Sequence, residues 1–338
     1  MPSISERVSR VLVTGATGAL GPRVVEALQQ SGCPVRVLAL DPPEPKTFSQ
    51  TTDFQLGDIN DEGAVRTAVS GVTAIIHMAA MLHINTPSPE QISRYKLINI
   101  DGTASVARAA IEAGVQRAVY FSTIAVYGHG DGRMFDENTL PHQDTAYAET
   151  KLCAERIMLE TRKPDGTPLG TVLRLAAVYG SRVKGNYRRL LQALAGKRFI
   201  PIGPGTNRRT LVYDKDVARA VLAVMASPNT AGKVFNVTDG EIHSLNDIIQ
   251  SICEALGRRP PRVRLPVVPL RTAAEAMDKG ARIVGLRPFG FRSALDKYTE
   301  DLAVEGQKIQ DETGFRPEYD LLSGWKETIE EMRARGEL

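Results

Sequence analysis

The sequence predicts an α/β protein, a doubly wound parallel sheet followed by a smaller, mostly helical C-terminal domain that would hold a substrate. Three observations predict it. The chain opens on VLVTGATGALG (Val11 to Gly21), an apolar run, three glycines at TGxxGxxG spacing and the start of an amphipathic segment. Short apolar runs then alternate with helix-period segments through residue 175, the rhythm of a parallel sheet. Asp41, Asp58, Ala79 and Ser122 all fall where apolar runs end, the edge at which such sheets bind ligands.

Val11, Leu12 and Val13 read as a buried strand, too short for a helix and bounded by Gly15. Leu20, Val24 and Leu28 recur at the spacing of one helix face, and Ser31-Gly32 stops that helix. Strand, glycine turn and helix in that order aim free helix amides at a phosphate. Gly15 can take the tight turn, Gly18 lets a pyrophosphate approach, and Gly21 lets helix and strand pack closely. A second strand, Val35 to Leu40, ends in Asp41, twenty residues beyond Gly21. A carboxylate there accepts hydrogen bonds from a ribose 2′-hydroxyl and repels a 2′-phosphate, which points to NAD over NADP. No arginine follows within DPPEP. The plainer alternative is that Asp41 caps a proline-rich loop.

Phe54 to Leu56 is a third strand with Gly57-Asp58-Ile59 as its exit, Ala64 to Val69 a short helix, and Thr73 to Ile76 a fourth strand. Ser88 to Ala113 reads as one long helix with Ser88 as N-cap. Val119 to Phe121 begins a fifth strand, a helix runs from near Tyr147 to Glu160, and Val172 to Leu175 is a sixth strand. Later segments predict helices over Tyr187 to Ala195, Asp214 to Met225 and Ser244 to Leu256, a strand over Val234 to Val237, and a loop or short strand over Arg198 to Gly205. Past the proline-rich RRPPRVRLPVVP, helices are expected around Leu270 to Leu286, Glu300 to Thr313 and Leu321 to Arg335. The domains follow as 1–175 with about 210–240 for the nucleotide, and 176–209 with 241–338 for the substrate.

Composition excludes several classes. Charged residues make up 24%, hydrophobic ones 42%, and the net charge is +3, ordinary for a soluble globular protein. The paired arginines Arg188-Arg189, Arg208-Arg209 and Arg258-Arg259 are scattered and read as surface solvation, not as a nucleic-acid site. Cys33, Cys153 and Cys253 form no CxxC, which fits a reducing compartment. The five histidines show no metal-ligand spacing, so no metal is expected. No signal-peptide core and no apolar run of the ~20 residues a membrane span needs is present. The expectation is a cytoplasmic protein without a membrane partner.

The chemistry centres on Tyr147 and Lys151, YxxxK on one helix. Residues four apart share a face. A Lys charge about 5 Å from a phenol at an effective dielectric of about 20 is worth ~3 kcal/mol, or roughly two units below the tyrosine value of about 10. Such a phenolate could take a proton from an alcohol while the carbinol carbon gives up hydride. Alone, YxxxK also arises by chance in many helices.

Together these motifs resemble the extended short-chain dehydrogenase/reductase family, in its NAD-dependent epimerase/dehydratase branch. TGATGALG, Asp41, GDI at Gly57 to Ile59, HMAA at His77 to Ala80, Asn99 before DGT, FSTIAVYG and YAETK follow the family's order and spacing over nearly the whole chain. The resemblance implies a Rossmann sheet in which Gly15, Thr17, Gly18, Ala19, Leu20 and Gly21 hold the pyrophosphate and Asp41 the adenosine ribose. Asp58 and Ile59 would flank the adenine, with Ala79 and Ala80 at the nicotinamide-side ribose and Asn99 and Ser122 nearby. Thr123 would hydrogen-bond the reacting oxygen, Tyr147 act as base and Lys151 orient the cofactor.

Further on, VYGSRVKGNYRRLLQAL and NRRTLVYDKDVARA resemble the branch that handles nucleotide-diphosphate sugars, UDP-sugars above all. By that match Asn186 and Arg209 would grip the diphosphate, Arg through its planar fork. The resemblance also implies a homodimer through the helices at 88–113 and 147–160. Departures limit the match. Ile124 and Ala125 stand where sugar 4,6-dehydratases carry an Asp-Glu pair, Ala177 replaces a common Asn, and Leu82 a common Lys. His83 is a candidate polar substitute facing the sugar. The resulting expectation is an epimerase acting at C4 through a 4-keto intermediate, with hydride passing to and from tightly bound NAD. The alternatives are a net oxidoreductase on a keto sugar or sterol-type alcohol with the same Thr-Tyr-Lys set, and a cofactor-binding regulatory protein.

Overall fold

The computed structural model describes residues 8–45, 47–82, 84, 87–130, 132–283 and 291–338. Its centre is a seven-stranded sheet of β1 (Val11–Thr14), β2 (Val35–Ala39), β3 (Asp53–Leu56), β4 (Ala74–His77), β5 (Arg117–Thr123), β7 (Gly170–Leu175) and β11 (Val234–Val237). Every pairing in it is parallel, in the order β11-β7-β5-β4-β1-β2-β3. This is the doubly wound Rossmann arrangement, with the order reversing beside β1. The strands read as apolar runs because both faces are covered. Val11, Val13, Val35 and Val37 face one apolar cluster with Val24 and Leu28 of α1 (Gly21–Gln30). Leu12, Leu38 and Ile75 face another, with Val65 of α2 (Glu62–Val69) and Val106 of α4 (Gly102–Glu112).

The expected long helix is interrupted. Ser88 does cap its start, in a reciprocal capping box with Gln91 that opens α3 (Pro89–Tyr95). The backbone then widens to a π-helical turn over Lys96–Asp101 before α4 begins. That turn buries Asn99, and such insertions recur at functional sites.

Next come β6 (Met134–Phe135), α5 (Ala146–Glu160), β8 (Ala177–Tyr179), α6 (Asn186–Ala195), β9 (Arg208–Arg209), β10 (Leu211–Tyr213) and α7 (Asp214–Ala226). The chain continues with β12 (His243–Ser244), α8 (Leu245–Ala255), α9 (Val267–Ile283), α10 (Phe291–Thr299), β13 (Ala303–Val304), α11 (Gln307–Thr313) and α12 (Leu321–Ala334). Two C-terminal expectations change. The helix expected over Glu300 to Thr313 spans only α11, because Ala303 and Val304 instead pair with Met134 and Phe135. Helix α10, packed against α9, was not expected at all. Residues 284–286 of the expected Leu270 to Leu286 helix lie outside the described residues.

A third apolar cluster joins Tyr179, Leu191, Leu245, Ile248 and Trp325 away from the sheet. Leu302, Val304, Ile309 and Phe315, late in the chain, pack instead against the first cluster. Among the described residues, no helix is long and apolar enough to cross a membrane.

Candidate active site

The carboxyl edge of the sheet collects the sequence-predicted nucleotide residues. After β1, Gly15 has φ +71°, and a Cβ there would lie 2.6 Å from the Ala79 amide nitrogen. A Cβ on Gly21 would lie 1.9 Å from the Ala16 carbonyl oxygen. Both positions therefore require glycine, and both let backbone approach backbone. Helix α1 starts at this turn with no side-chain cap and no acid in its first turn, so its amide end carries an uncompensated partial positive charge. Thr17 and Gly18 are exposed, and Ala19 and Leu20 half-buried, at the mouth of the turn. These features fit a pyrophosphate.

Asp41 is exposed two residues past β2, and Asp58 is exposed beyond β3, its carboxylate accepting from the Asn60 amide at 2.9 Å. Ile59 is buried, and Ala79 and Ala80 are half-buried after β4. A hydrogen-bonded chain ties the loops together. The Thr14 hydroxyl lies 2.6 Å from Nδ1 of His77 and accepts from the Ala79 amide at 3.3 Å, while His77 Nε2 lies 3.0 Å from the Thr103 hydroxyl. Full burial, reinforced by the Lys151 charge, pushes the His77 imidazolium down to about 3, so the ring is neutral and structural. Asn99 accepts from the Met81 amide (2.8 Å) and donates to the Thr150 hydroxyl (3.1 Å), which donates to the Tyr147 carbonyl (2.9 Å). Asn99 thus links the β4 loop to α5.

Helix α5 begins at a Thr145 cap and carries Tyr147 in its first turn and Lys151 one turn on. One turn further, Glu155 accepts a short hydrogen bond from the Ser122 hydroxyl, fastening α5 to the end of β5. Glu155 also takes Arg174 Nη2 at 2.7 Å and Nε at 3.1 and 3.2 Å, and Arg174 Nη1 donates to the Tyr127 hydroxyl at 3.0 Å. Next to Ser122, the half-buried Thr123 accepts from the Ala125 amide at 3.2 Å. Its own proton remains available to donate to a reacting oxygen.

The Lys151 ammonium lies 4.2 Å from the Tyr120 ring centroid. Burial pushes it down to about 7, although the Glu155 charge pulls upward. Tyr147 runs against expectation. Burial, with Tyr95 beside it at a ring separation of 6.1 Å, holds its phenol above the ordinary tyrosine value. Desolvation of the phenolate sets the direction, and the pull expected from a lysine four residues away is not among its causes.

The substrate-side candidates are not drawn together in the same way. Asn186 is exposed at the start of α6, on a cleft shared with Tyr179, Tyr187, Leu191, Trp325 and Met332. Arg209, on β9, is committed to protein acceptors: Glu300 at 3.1 Å and the carbonyls of Lys297 and Tyr298 at 2.6 and 3.1 Å. Tyr187 is pushed up to about 12 by burial, with the Arg209 charge opposing. His83 lies outside the described residues. A group not expected from spacing also forms: His129, Asp144 and Glu300 place ligand atoms within 4.8 Å of one another. Glu300 is already matched by Arg209 and by Lys297 at 2.7 Å, and nothing further points to a metal there.

Sequence reasoning missed Glu155, Arg174 and Tyr95, and gave His77 no role beyond its motif. Glu155 carried a readable signal, the next turn of the Tyr147–Lys151 face. Arg174, inside an apolar strand, carried none.

Comparison with known proteins identifies the family and the fold. The model of the NAD dependent epimerase/dehydratase family matches residues 11–238. A UDP-glucose 4-epimerase from Vibrio cholerae is 28% identical over 95% of this chain and 94% of its own length. A 3 beta-hydroxysteroid dehydrogenase/Delta 5-->4-isomerase from Mycobacterium tuberculosis is 29% identical over 90% of this chain and 82% of its own. Among solved structures, MoeE5 in complex with UDP-glucuronic acid and NAD superposes with a TM-score of 0.76 at 27% identity, covering 97% of this chain and all of that one.

Proposed function

This chain belongs to the NAD-dependent epimerase/dehydratase family and takes NAD as its cofactor, and on that premise we propose that it epimerises a nucleotide-diphosphate sugar at C4. Bound NAD supplies a two-electron acceptor and donor for the carbinol carbon. The turn from Gly15 to Gly21, with Thr17, Gly18, Ala19 and Leu20, would hold its pyrophosphate, and Asp41 its adenosine ribose. Asp58 and Ile59 would flank the adenine. Ala79, Ala80, Asn99 and Ser122 would line the nicotinamide side.

The observation that carries the reading is the junction of β5 with α5, where Ser122 is bonded to Glu155 beside Thr123 and one turn from Lys151. Tyr147 removes the proton of the C4 hydroxyl and returns it after the 4-keto sugar has turned over. Thr123 donates to the same oxygen throughout. Lys151, one turn along the same helix, would supply the positive charge that a phenolate in a partly buried place needs. Buried Ile124 and half-buried Ala125 follow Thr123, so neither can protonate a leaving group or remove a carbon-bound proton. That favours epimerisation over dehydration. Asn186 and Arg209 would take the diphosphate. Two copies would pair through α3, α4 and α5.

One observation favours a second reading, a net oxidoreductase on a keto sugar or sterol-type alcohol. Arg209 is spent on Glu300 and two carbonyls, so it must be released before it can grip a diphosphate. Incubating the purified protein with a panel of UDP- and other nucleotide sugars, without added cofactor, separates the two. Epimer formation followed by NMR, with no NADH accumulating, is the expected outcome. Turnover only with added NAD(H) would replace the first reading by the second.

A further inference from the structure

We propose that an exposed basic and apolar face formed by residues 196–202 and 257–268 docks this protein on the surface of an anionic phospholipid bilayer. The two segments are one surface. The Leu265 amide donates to the Pro201 carbonyl at 2.9 Å, the Gly203 amide to the Leu265 carbonyl at 2.8 Å, and Arg258 reaches back to the Leu194 and Ala195 carbonyls at the end of α6. Neither segment contains an acidic residue, and together they carry Lys197, Arg198, Arg258, Arg259, Arg262 and Arg264, all exposed. With a whole-chain charge of +3, these six cations leave the remainder of the protein net acidic. Six cations without an acid make these segments more basic than the chain as a whole, where the paired arginines alone had read as solvation.

Among the described residues, no carboxylate pairs with these cations. Arg258 and Arg264 spend their hydrogen bonds on neutral acceptors: for Arg264, the Pro204 carbonyl at 2.7 Å and the Asn246 side-chain oxygen at 2.9 Å. Aliphatic side chains alternate with them. Val263 is 69% exposed between Arg262 and Arg264, Val268 74%, Ile200 48% and Leu265 38%. A solvated surface does not need that alternation, and a bilayer interface takes both kinds of group, phosphates against the guanidiniums and acyl chains against the aliphatics. Nucleic acid would reward the cations but not four bare aliphatics, and the segments' one aromatic, Phe199, packs inward against the third cluster. No spanning helix is involved, so this is peripheral docking, in contrast to the expectation of no membrane partner. It holds whichever substrate the site turns over.

The test is flotation of the full-length protein with phosphatidylcholine vesicles, alone or with about 30% phosphatidylglycerol, in about 0.05 M and about 0.5 M salt. At low salt, about tenfold more protein should float with the anionic vesicles, and most of that excess should vanish at high salt. Arg259→Glu with Arg262→Glu should cut the bound fraction about tenfold, while Arg162→Glu with Lys163→Glu, the same charge change in the loop after α5, should not. Val263→Ser with Val268→Ser should weaken flotation without altering its salt dependence. A thermal midpoint for each variant separates docking from folding. Equal partition to neutral and anionic vesicles, no flotation, or equal loss in both charge variants would overturn the proposal. So would retention on duplex DNA as strong as on the anionic vesicles.

Discussion

Two arginine–glutamate pairs, Glu155–Arg174 and Glu300–Arg209, are built to different ends. Glu155 and Arg174 are almost fully enclosed, with side chains 1% and 5% exposed. Both carboxylate oxygens and three guanidinium nitrogens are used, and Ser122 and Tyr127 complete the set. Glu300 and Arg209 share one direct contact, and Lys297 competes for the same carboxylate oxygen. A buried pair with every lone pair satisfied fixes geometry, and removing one partner strands a charge. A pair with a competing cation and a single contact can exchange partners. We propose that the first pair locks the side that would hold the cofactor, and that the second, with side chains 13% and 4% exposed, can adjust on the side that would meet a substrate.

The largest effect should come from chemistry carried on the locked side. Tyr147→Phe removes the proton acceptor while leaving the β5–α5 junction intact, so kcat should fall about 100- to 10,000-fold. NAD should remain bound, as measured by absorbance of the denatured supernatant, and the thermal midpoint should hardly move. Full activity would remove Tyr147 from its assigned role.

The same division decides what was legible beforehand. The cofactor side is written in local patterns: glycine spacing, apolar runs, and the Tyr147 to Lys151 step along one helix. The matched family region, residues 11–238, covers these patterns and ends before the late helices. The substrate side depends on pairings that no local window contains. Arg209 meets a glutamate 91 residues away, and Ala303–Val304 becomes a strand only because Met134–Phe135 lies beside it. The π-helical turn at Lys96–Asp101 has no glycine or proline to announce it, since it shifts hydrogen bonds without changing the apolar faces. The direction of the Tyr147 shift was missed for a related reason. The Lys151 spacing is visible in sequence, but the desolvation that raises Tyr147 is a property of the packed state.

A second experiment breaks the locked pair. Glu155→Ala leaves Arg174 buried without its carboxylate, and loss of one partner of a buried pair costs about 3–5 kcal/mol. Urea denaturation should show that loss with the slope of the transition unchanged. Pairing it with Arg174→Met should recover much of the stability, because no charge then remains stranded. The double variant being worse than Glu155→Ala would mean that Arg174 has other work than neutralising Glu155.

The adjustable pair should respond in the opposite sense, through binding and not through stability. If Arg209 exchanges Glu300 for an anionic diphosphate, Arg209→Ala should raise KM for a nucleotide sugar about tenfold, the cost of one charge-assisted hydrogen bond of roughly 1.5 kcal/mol. Glu300→Gln removes the competing charge, so KM should fall two- to threefold, about half a kcal/mol. Neither change should shift kcat or the urea midpoint as far as Glu155→Ala does. The informative pairing is Glu300→Gln against a neutral alcohol and a nucleotide sugar in parallel. A diphosphate that competes with Glu300 gains from the substitution, and an uncharged sterol-type alcohol does not. Equal effects on both, or a higher KM for the nucleotide sugar, would show that Arg209 and Glu300 form a second structural brace. The two sides of the site would then be locked alike.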